Sequence, residues 1–343
     1  MASTIIDSED VDFVTLGMFI IDEIHFPAPR PSVYDVLGGA GSYSALGARL
    51  FSPPPLSKSV GWIVDCGSDF PKNIRDTIDS WKTSCLLRET PERLTTRGWN
   101  EYGDNDHRAF KYKTEKLRLT ADSCSPQLIQ AKSFHLICSP ERCIDQVNGV
   151  LARRSHECPN LPKPIFLWEP VPDICTPEEL ENCRSALKLV DIVSPNHAEI
   201  AAYFGGTGQR GDSVDCESME LYAHNWLQSG IGKNGGGSVV IRCGKQGCFL
   251  ANRGMGTWIP AVHDNSPDKV VDPTGGGNTF LGALGVALAR GHDIKTASVW
   301  GSVAASFAIE QIGMPILEER EDGEVWNGES VQGRLDVFMN RLL

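Results

Sequence analysis

The sequence predicts an α/β protein whose central, mostly parallel β-sheet is covered by helices on both faces. Apolar runs of strand length alternate along the chain with segments whose apolar residues recur at helical spacing. A helix between two strands returns the chain to the starting edge of the sheet, so this alternation favours parallel strands. The 343 residues, of which 41% are hydrophobic and 22% charged, have the composition of a compact globular protein.

The predicted elements follow one another in a regular order. Each strand is an apolar run bounded by turn residues, and each helix carries one apolar face. The predicted strands are, in chain order, DFVTLGMFII, SVGWIV, SFHLIC, PIFLW, LVDIV and GSVVIRC. The predicted helices cover residues 42–50, 70–81, 144–154, 177–189 and 217–228, and an amphipathic helix over 331–342 ends the chain.

A different pattern lies between the second and third predicted strands, over residues 85–119. Apolar and polar residues alternate there on both sides of the turn-like GDND of residues 103–106, which predicts a β-hairpin standing off the main sheet. The proline-rich stretches elsewhere are too short for interdomain linkers. We therefore predict one domain over residues 1–326 with a β insertion at about 85–119, and a surface helix within residues 327–343.

Charge and composition argue against several classes of protein. The chain carries 32 Lys and Arg against 44 Asp and Glu, a net charge of −12, which repels the phosphate backbone of a nucleic acid. The acidic start lacks the basic region of a secretion signal, and the apolar stretch 280–289 is too short to span a bilayer. We expect a cytoplasmic protein that binds neither nucleic acid nor membrane. The eleven cysteines include no C-x-x-C pair, which favours free thiols over a disulfide framework or structural zinc.

The strongest chemical signal is the segment VVDPTGGGNTFLGALGVALARG, residues 270–291. A strand end is followed there by a turn that contains Gly275, Gly276 and Gly277, then by Asn278 and a long apolar helix. Where no Cβ atoms intervene, successive backbone N–H groups can point at one anion at the positive end of a helix. The segment predicts an anion-binding turn, and a turn in which glycine serves flexibility alone is the alternative.

A second glycine-rich turn lies near the start of the chain. The first predicted strand ends with Asp22, and LGGAG, which contains Gly38 and Gly39, opens the helix that follows. An acid beside backbone that a ligand can approach closely suits the binding of hydroxyl groups. An NAD-type oxidoreductase is the alternative interpretation, with the G-x-G of this turn on the phosphates and Asp65 on the ribose. Ser44 in place of the third glycine of G-x-G-x-x-G counts against it.

Two further turns follow strands in the second half of the chain. In DIVSPNHAEIAAYFG, Asn196 and Glu199 stand at the start of a helix, where both are also good capping residues. In VVIRCGKQGCFLA, Gly244 and Gly247 bound the turn of a strand–turn–strand unit. Neither motif alone predicts more than local structure.

Taken in this order, with the hairpin between the second and third strands, the four motifs resemble the ribokinase-like, or pfkB, family of sugar and nucleoside kinases. The resemblance extends from about Val11 to Gly313. WEPVPDIC, TTRGWNEYG and the GGGN form of the turn are most similar to the family's fungal killer-maintenance branch. The resemblance implies a ribokinase-like fold with a small β lid, and Mg²⁺-assisted, ATP-dependent phosphoryl transfer to a hydroxyl of a sugar, polyol or nucleoside.

The resemblance also implies residues that bind this hydroxylated acceptor. They are Asp22, Gly38, Gly39, Tyr43, Arg97 and Arg108. The acid would bind a hydroxyl group, the two glycines would form the floor of the pocket, and the two arginines of the lid would reach the acceptor or the phosphate. The tyrosine stands where many relatives carry an acceptor-contacting Asn, so the acceptor itself is not identified.

The nucleotide side of the site is implied in the same way. Asn196 and Glu199 match the family's N-P-N-x-x-E pattern, with Ser194 in place of its first Asn, and would organise Mg²⁺ and its waters. Gly244 and Gly247 match a turn that lies along the ATP.

The turn over residues 272–278 corresponds to the family's D-T-x-G-A-G-D, so Asp272 and Thr274 would contribute to nucleotide binding. In the family the last Asp of this motif takes the proton of the acceptor hydroxyl, and here that position is Asn278. An amide cannot act as a carboxylate base, and loss of a general base typically costs about 10²- to 10⁴-fold in rate. Two interpretations stay open: a kinase that relies on the glycine turn, and a pfkB-like protein that binds nucleotide or acts as a scaffold.

The resemblance bears on assembly as well. Members of the family often form homodimers through the lid, and the resemblance extends this expectation to the present chain. Lys111, Lys113 and Lys116 in the hairpin equally fit a charged edge that prevents pairing.

Overall fold

The computed structural model describes residues 10–103, 108–208 and 213–343. The strands in these ranges are β1 (Phe13–Thr15), β2 (Ile20–His25), β3 (Val33–Gly38), β4 (Val60–Cys66), β5 (Ser84–Glu89), β6 (Arg97–Tyr102), β7 (Arg108–Tyr112), β8 (Ser133–Cys138), β9 (Ile165–Pro170), β10 (Ile192–Val193), β11 (Ser238–Arg242), β12 (Cys248–Asn252), β13 (Met255–Ile259), β14 (Leu317–Arg320) and β15 (Gly323–Trp326). The helices are α1 (Ala40–Leu50), α2 (Lys72–Ser80), α3 (Pro140–Glu157), α4 (Leu180–Leu187), α5 (His197–Tyr203), α6 (Cys216–Ser229), α7 (Gly276–Ala289), α8 (Ile294–Ala308) and α9 (Val331–Arg341).

The main sheet has nine strands in the order β13-β12-β11-β10-β9-β8-β1-β4-β5. From β11 to β5 every neighbouring pair is parallel, because the connections between these strands pass through helices. β12 and β13 are antiparallel because short turns join them to the preceding strands. The predicted α/β fold with a mostly parallel sheet is therefore confirmed.

A second sheet, the lid, has the strand order β3-β2-β6-β7. The prediction of one strand over DFVTLGMFII is wrong, because β1 ends at Thr15 in the main sheet and β2 begins at Ile20 in the lid. Gly17, between them, lies so close to the start of α1 that a Cβ atom would be 2.7 Å from the nitrogen of Gly41. The predicted hairpin forms from β6 and β7 and pairs with β2, whereas β5 belongs to the main sheet.

Two other elements are shorter than predicted. The strand expected over LVDIV keeps only its last two residues as β10, because Leu189 still belongs to the turn that follows α4, where its N–H donates to the Ala186 carbonyl at 3.0 Å. The helix expected over 177–189 begins as α4 only at Leu180, after a short 3₁₀ turn over Pro177–Glu179.

Helices cover both faces of the main sheet. One core packs the sheet against α1, α2, α7, α8 and α9, and a second core packs its other face against α3, α4, α5 and α6. Successive residues of a strand point to opposite faces, so Phe13 belongs to the first core and Val14 to the second. Within the described ranges, every helix is too short or too polar to cross a membrane. The division of the chain at residue 326 stays a prediction.

α1 and α7 approach each other at backbone distance. A Cβ atom on Gly47 would be 1.9 Å from the carbonyl oxygen of Thr279, and a Cβ atom on Gly282 would be 1.9 Å from that of Ser44. Glycine at both positions is therefore what allows the two helices to lie directly side by side.

The alternative of an NAD-type site is wrong for this topology. The glycine turn at Gly39 follows β3, which is an antiparallel strand of the lid. A dinucleotide site needs this turn after a strand of a parallel sheet, within a βαβ unit. The glycine turn at Gly39 is therefore not a dinucleotide-binding turn.

Candidate functional site

The turn before α7 has the geometry of an anion site. Gly275 has a left-handed backbone, with φ of 78°, and Gly276 and Gly277 open the helix. A Cβ atom on Gly275 would be 2.2 Å from the ring of Tyr43, so both the dihedral angle and the space require glycine. The N–H of Gly276 closes the turn on the Pro273 carbonyl at 3.3 Å. The next N–H groups stand at the positive end of α7.

Asp272 and Thr274 shape this turn. The buried Asp272 carboxylate accepts hydrogen bonds at Oδ1 from the N–H of Thr274 at 2.9 Å and from its hydroxyl at 2.6 Å. These bonds fix the shape of the turn. The strand predicted just before Asp272 is wrong, because the chain reaches this turn from a short 3₁₀ turn over Pro267–Lys269. Direct nucleotide binding by the two residues stays a prediction.

Asp22 lies in β2 of the lid and is buried. Its Oδ1 accepts a hydrogen bond of 3.0 Å from Nδ2 of Asn100 on β6. Glycines line the remaining space, since a Cβ atom on Gly38 would be 1.9 Å from Oδ2 and one on Gly98 would be 2.6 Å from Oδ1. The structure thus brings together Asp22 and Gly38, as predicted, and adds Asn100, which the sequence analysis missed.

Gly39 and Tyr43 connect this carboxylate to the anion turn. Gly39 has φ of 86° and precedes α1, where a Cβ atom would be 2.5 Å from the Met18 carbonyl oxygen. Tyr43, in the first turn of α1, is buried with its ring against Gly275. The predicted acceptor side and the predicted phosphate side therefore meet at the start of α1.

The two arginines predicted in the lid have different outcomes. Arg97 forms ion pairs with Asp35 at 2.8 Å and with Asp69 at 2.6 Å. Burial alone would lower the pKa of Arg97, but hydrogen bonds to these two carboxylates raise it. Arg97 is thus paired with one carboxylate of the lid and with one from the segment between β4 and α2, and a role toward the acceptor stays a prediction. Arg108 begins β7, and its side chain lies outside the described part of the chain.

Asn196 and Glu199 form a capping box at the start of α5. Asn196 Oδ1 accepts from the N–H of Glu199, and Glu199 Oε2 accepts from the N–H of Asn196, both at 2.8 Å. No cluster of three metal-binding side chains occurs among the described residues. One buried carboxylate fits Mg²⁺ only through the waters that this ion retains, with phosphate oxygens as the remaining ligands.

A buried ion pair lies beside the glycine turn and was missed by the sequence analysis. Glu169, near the end of β9, pairs through Oε1 with Nη2 of Arg242, the last residue of β11, at 2.7 Å. Its Oε2 accepts a hydrogen bond of 2.5 Å from Nδ2 of Asn278, and Nε2 of His135 lies 3.4 Å from the same oxygen. Arg242 Nη2 is also 3.6 Å from Oε2 of Glu199. The only carboxylate bonded to Asn278 among the described residues is therefore Glu169.

The charge state of this cluster follows from its contacts. Burial alone would raise the pKa of Glu169, but the Arg242 guanidinium and the nearby His135 ring hold that pKa below its ordinary value. Glu169 is accordingly an ionised carboxylate beside the amide of Asn278. Arg242 Nη2 lies within 3.6 Å of both Glu169 and Glu199, so the guanidinium has a carboxylate on two sides.

A cavity of about 430 Å³ opens on the other side of the turn. Its polar end contains Arg242, Gly244, Gly247, Gly276 and Gly277, and its apolar wall contains Val262, Ala305 and Ile309. The φ angles of 55° at Gly244 and 85° at Gly247 allow the tight turn between β11 and β12. Glycines of both predicted turns therefore line one cavity, whereas Gly275 faces Tyr43.

A signal in the sequence could have found Glu169 and Arg242. Both stand at or next to the carboxyl ends of strands that the sequence analysis predicted to be parallel. Ligand sites of parallel sheets collect at that edge. Their contact with each other and with Asn278 needed the strand order β11-β10-β9, which the pattern of apolar runs does not supply.

Comparison with known proteins identifies the family. Residues 166–319 match the pfkB family of carbohydrate kinases. An uncharacterised protein of Schizosaccharomyces pombe is 38% identical, with the alignment covering 96% of this chain and 93% of its own. Protein MAK32 of Saccharomyces cerevisiae is 36% identical, covering 96% and 92%. A nucleoside kinase of Methanothermobacter thermautotrophicus is 26% identical, covering 89% and 92%.

The fold has solved counterparts. A protein of Escherichia coli designated ribokinase II, solved in complex with ATP and Mg²⁺, superposes with a TM-score of 0.65 at 17% identity. The superposition covers 96% of this chain and 99% of that protein. The predicted family, its fungal branch and the ribokinase-like fold are thereby confirmed. The chain belongs to the pfkB carbohydrate kinase family.

Proposed function

We propose that this protein transfers the γ-phosphoryl group of ATP, with Mg²⁺, to a hydroxyl of a small metabolite of the sugar, polyol or nucleoside class. One observation carries the proposal. The glycine turn at Gly275 lies between a cavity of about 430 Å³ and Tyr43, so a phosphate bound there would have a nucleotide on one side and an acceptor on the other. The family and the likeness to a nucleoside kinase support the same reaction class.

The cavity suits ATP in shape and chemistry. Its apolar wall, with Val262, Ala305 and Ile309, fits a planar base, and its glycine-rich end fits phosphate oxygens that need backbone donors. When bound, Mg²⁺ would neutralise charge on the triphosphate. Asn196 and Glu199 would hold waters of that ion from their place at the start of α5.

The transfer requires an acceptor for one proton. The hydroxyl oxygen forms a bond to the γ-phosphorus, the bond from that phosphorus to the bridging oxygen breaks, and ADP leaves with the electron pair. Asn278 cannot take the hydroxyl proton, and we assign that proton to Glu169, whose Oε2 is 2.5 Å from Asn278 Nδ2. The transition state of phosphoryl transfer is loose, so a carboxylate of low basicity is sufficient.

A second candidate function is nucleotide binding without transfer. Asn278 favours it because the usual carboxylate is absent from that position of the turn, and the pairing of Glu169 with Arg242 lowers the basicity of the neighbouring acid. Such a protein would use nucleotide occupancy to bind or organise a partner.

The two functions are separated by one experiment. Wild type, Asn278→Asp and Glu169→Gln are each given MgATP with a mixed pool of sugars, polyols and nucleosides, and phosphorylated products are followed by mass spectrometry. Thermal shift with MgATP reports nucleotide binding independently. We expect product from wild type and at least a tenfold lower rate from Glu169→Gln.

Each result has a distinct meaning. Product only from Asn278→Asp would support the binding function and overturn the transferase. Wild-type product that Glu169→Gln leaves unchanged would keep the transferase and remove Glu169 as proton acceptor. Absence of any nucleotide-induced shift in wild type would contradict both functions.

A further inference from the structure

We propose that Arg242 is the side chain that binds the γ-phosphoryl group of the nucleoside triphosphate. The inference rests on the proposed function and adds to it a residue for which neither the sequence motifs nor the family resemblance gave a role. Arg242 ends β11 and lines the cavity together with Gly276 and Gly277 of the anion turn.

The position of the guanidinium supports this assignment. A Cβ atom on Gly277 would be 1.9 Å from Nη1 of Arg242, so the cationic group lies directly against the first turn of α7. A cation at the positive end of a helix is unfavourable unless an anion is shared between them. The same place is favourable once a phosphoryl group binds, because helix and guanidinium then act on one anion.

The three nitrogens of the Arg242 guanidinium have different surroundings. Nη2 donates to Glu169 at 2.7 Å and to the Ser194 carbonyl at 2.9 Å. In the described part of the chain, Nε is buried and has no hydrogen-bond partner. The guanidinium is therefore anchored by Nη2, while Nη1 stands at the turn where a phosphate oxygen would bind.

The two neighbouring carboxylates stabilise the buried guanidinium of Arg242 in the absence of a ligand. Glu169 and Glu199 lie 2.7 and 3.6 Å from Nη2 and balance its charge in a site that is largely removed from water. An arriving phosphoryl group would add contacts at Nη1 while the bond from Nη2 to Glu169 is kept. The same contact would neutralise charge on the phosphoryl oxygens during transfer.

The test measures nucleotide affinity and needs no knowledge of the acceptor. Isothermal titration calorimetry compares Mg²⁺ with the non-hydrolysable triphosphate AMP-PNP against Mg²⁺ with ADP. For Arg242→Gln we expect about a 10- to 100-fold loss of AMP-PNP affinity, with ADP affinity changed less than about threefold. Arg242→Lys should retain part of the AMP-PNP preference, because it keeps the charge and loses the planar donors.

Two further variants distinguish a loss of phosphate binding from a loss of folding in Arg242→Gln. Gly277→Ala displaces Nη1 without altering any charge, and we expect the same selective loss of AMP-PNP affinity. Glu169→Gln with Arg242→Gln removes the ion pair as a unit, so Glu169 is not left as an unpaired buried charge. Arg290→Gln is the matched control, because Arg290 is also ion-paired and partly buried but lies at the opposite end of α7.

The outcomes separate this inference from the proposed function. A folded Arg242→Gln or double variant with the wild-type ratio of AMP-PNP to ADP affinity would overturn the role of Arg242 and leave the kinase proposal standing. An equal loss in Arg290→Gln would show that the effect is not local, and would also overturn it. Wild type that binds neither nucleotide would overturn the proposed function and this inference together.

Discussion

The hydrogen bond between Asn278 and Glu169 joins two residues that are 109 positions apart in the chain. The amide donates through Nδ2 to an ionised carboxylate, so an amide at 278 and an acid at 169 are complementary. An acid at both positions would place two carboxylates one hydrogen bond apart, where they cannot both ionise freely. Whether an amide or an acid is more stable at position 278 therefore depends on the residue at position 169.

This pair predicts how moving the carboxylate from position 169 to position 278 changes stability. Asn278→Asp alone should lower the free energy of unfolding at pH 7 by about 1–3 kcal/mol, because like charge disfavours ionisation and one acid must carry a proton. A group whose pKa is raised in the folded state regains stability as pH falls, so the deficit should shrink toward pH 5. Urea unfolding at both pH values measures it.

The double variant Glu169→Gln with Asn278→Asp is the control for this exchange. It restores an amide facing a carboxylate with the roles reversed, so its stability at pH 7 should exceed that of Asn278→Asp. Equal stability of the single and double variants would contradict the hydrogen bond in the form described.

The sequence shows part of this site at the residue scale. The glycines of the turn, and Asn278 in place of the family's Asp, can be identified from the sequence because they belong to one contiguous motif. Glu169 and Arg242 each stand in a strand of ordinary composition, and only the sheet order brings them to the turn. Asn100 was missed for the same reason, since its contact with Asp22 depends on the pairing of β6 with β2.

At the scale of elements, the backbone contact between α1 and α7 positions both halves of the site. Gly47→Ala should lower the free energy of unfolding by at least about 2 kcal/mol. The added methyl group would clash with the carbonyl oxygen of Thr279, and the helix backbone cannot move aside as a flexible side chain can. Chemical denaturation followed by circular dichroism measures the loss.

Gly333→Ala is the matched control for this helix contact. Gly333 lies in α9, where the nearest atom to an added Cβ is 3.5 Å away. Alanine in a helix is favoured over glycine by up to about 1 kcal/mol, so this variant should be as stable as wild type or more so. A similar loss in both variants would argue against close helix packing as the cause.

We expect the attachment of α9 to α8 to depend on pH. Arg334 of α9 pairs with Glu310, just beyond α8, at 2.9 Å. Burial alone would raise the pKa of Glu310, but hydrogen bonds from His263 and Arg334 lower it to about 2. Because the folded-state pKa is depressed, this stabilisation is present above the ordinary pKa of 4.5 and is lost as pH falls toward 2.

Glu310→Gln tests this dependence. The variant should be less stable than wild type near pH 6, and the difference should become smaller near pH 3, where the wild-type carboxylate begins to lose its advantage over the unfolded chain. The free energy of unfolding at the two pH values decides it. An equal loss of stability in Glu310→Gln at pH 6 and pH 3 would mean that the ion pair of Glu310 does not supply the stabilisation.

Elements with a complete periodic pattern were predicted well. The amphipathic helix predicted over 331–342 is α9, and the strand–turn–strand over VVIRCGKQGCFLA is β11 and β12. The failures have a common physical cause. DFVTLGMFII and LVDIV are mainly apolar runs, and hydrophobicity alone does not record that Gly17 lets the chain leave one sheet for another or that Leu189 belongs to the turn after α4.

At the scale of the whole molecule, the lid sheet offers two outer strands, β3 and β7. Tyr34 on β3 and Phe110 on β7 are exposed aromatic side chains, which suits contact with a second copy of the chain. From this and the family resemblance we propose a homodimer through the lid. Sedimentation should show a dimer at micromolar concentration for wild type and a monomer for Phe110→Glu. A monomeric wild type would contradict the proposal.

The overall architecture was the most predictable level. Alternating strands and helices were sufficient for the sheet and its helical layers, because those follow from local periodicity and chain connectivity. The lid was predicted only as a hairpin. Its other half, β2 and β3, comes from the start of the chain, and joining the two halves requires contacts between residues far apart in sequence.

For the proposed transfer reaction, the direct contact of α1 with α7 would fix the distance between the acceptor pocket and the phosphate. Gly39 and Tyr43 stand at the start of α1 and Gly275 at the start of α7, and the glycine contacts farther along bring the two helix backbones directly together. In that reaction, the distance from the acceptor-side glycines to the phosphate would be set by main-chain contacts and not by side chains. Replacing residues of the acceptor pocket would then change which groups are recognised, whereas a longer acceptor would require the lid to move or to be remodelled.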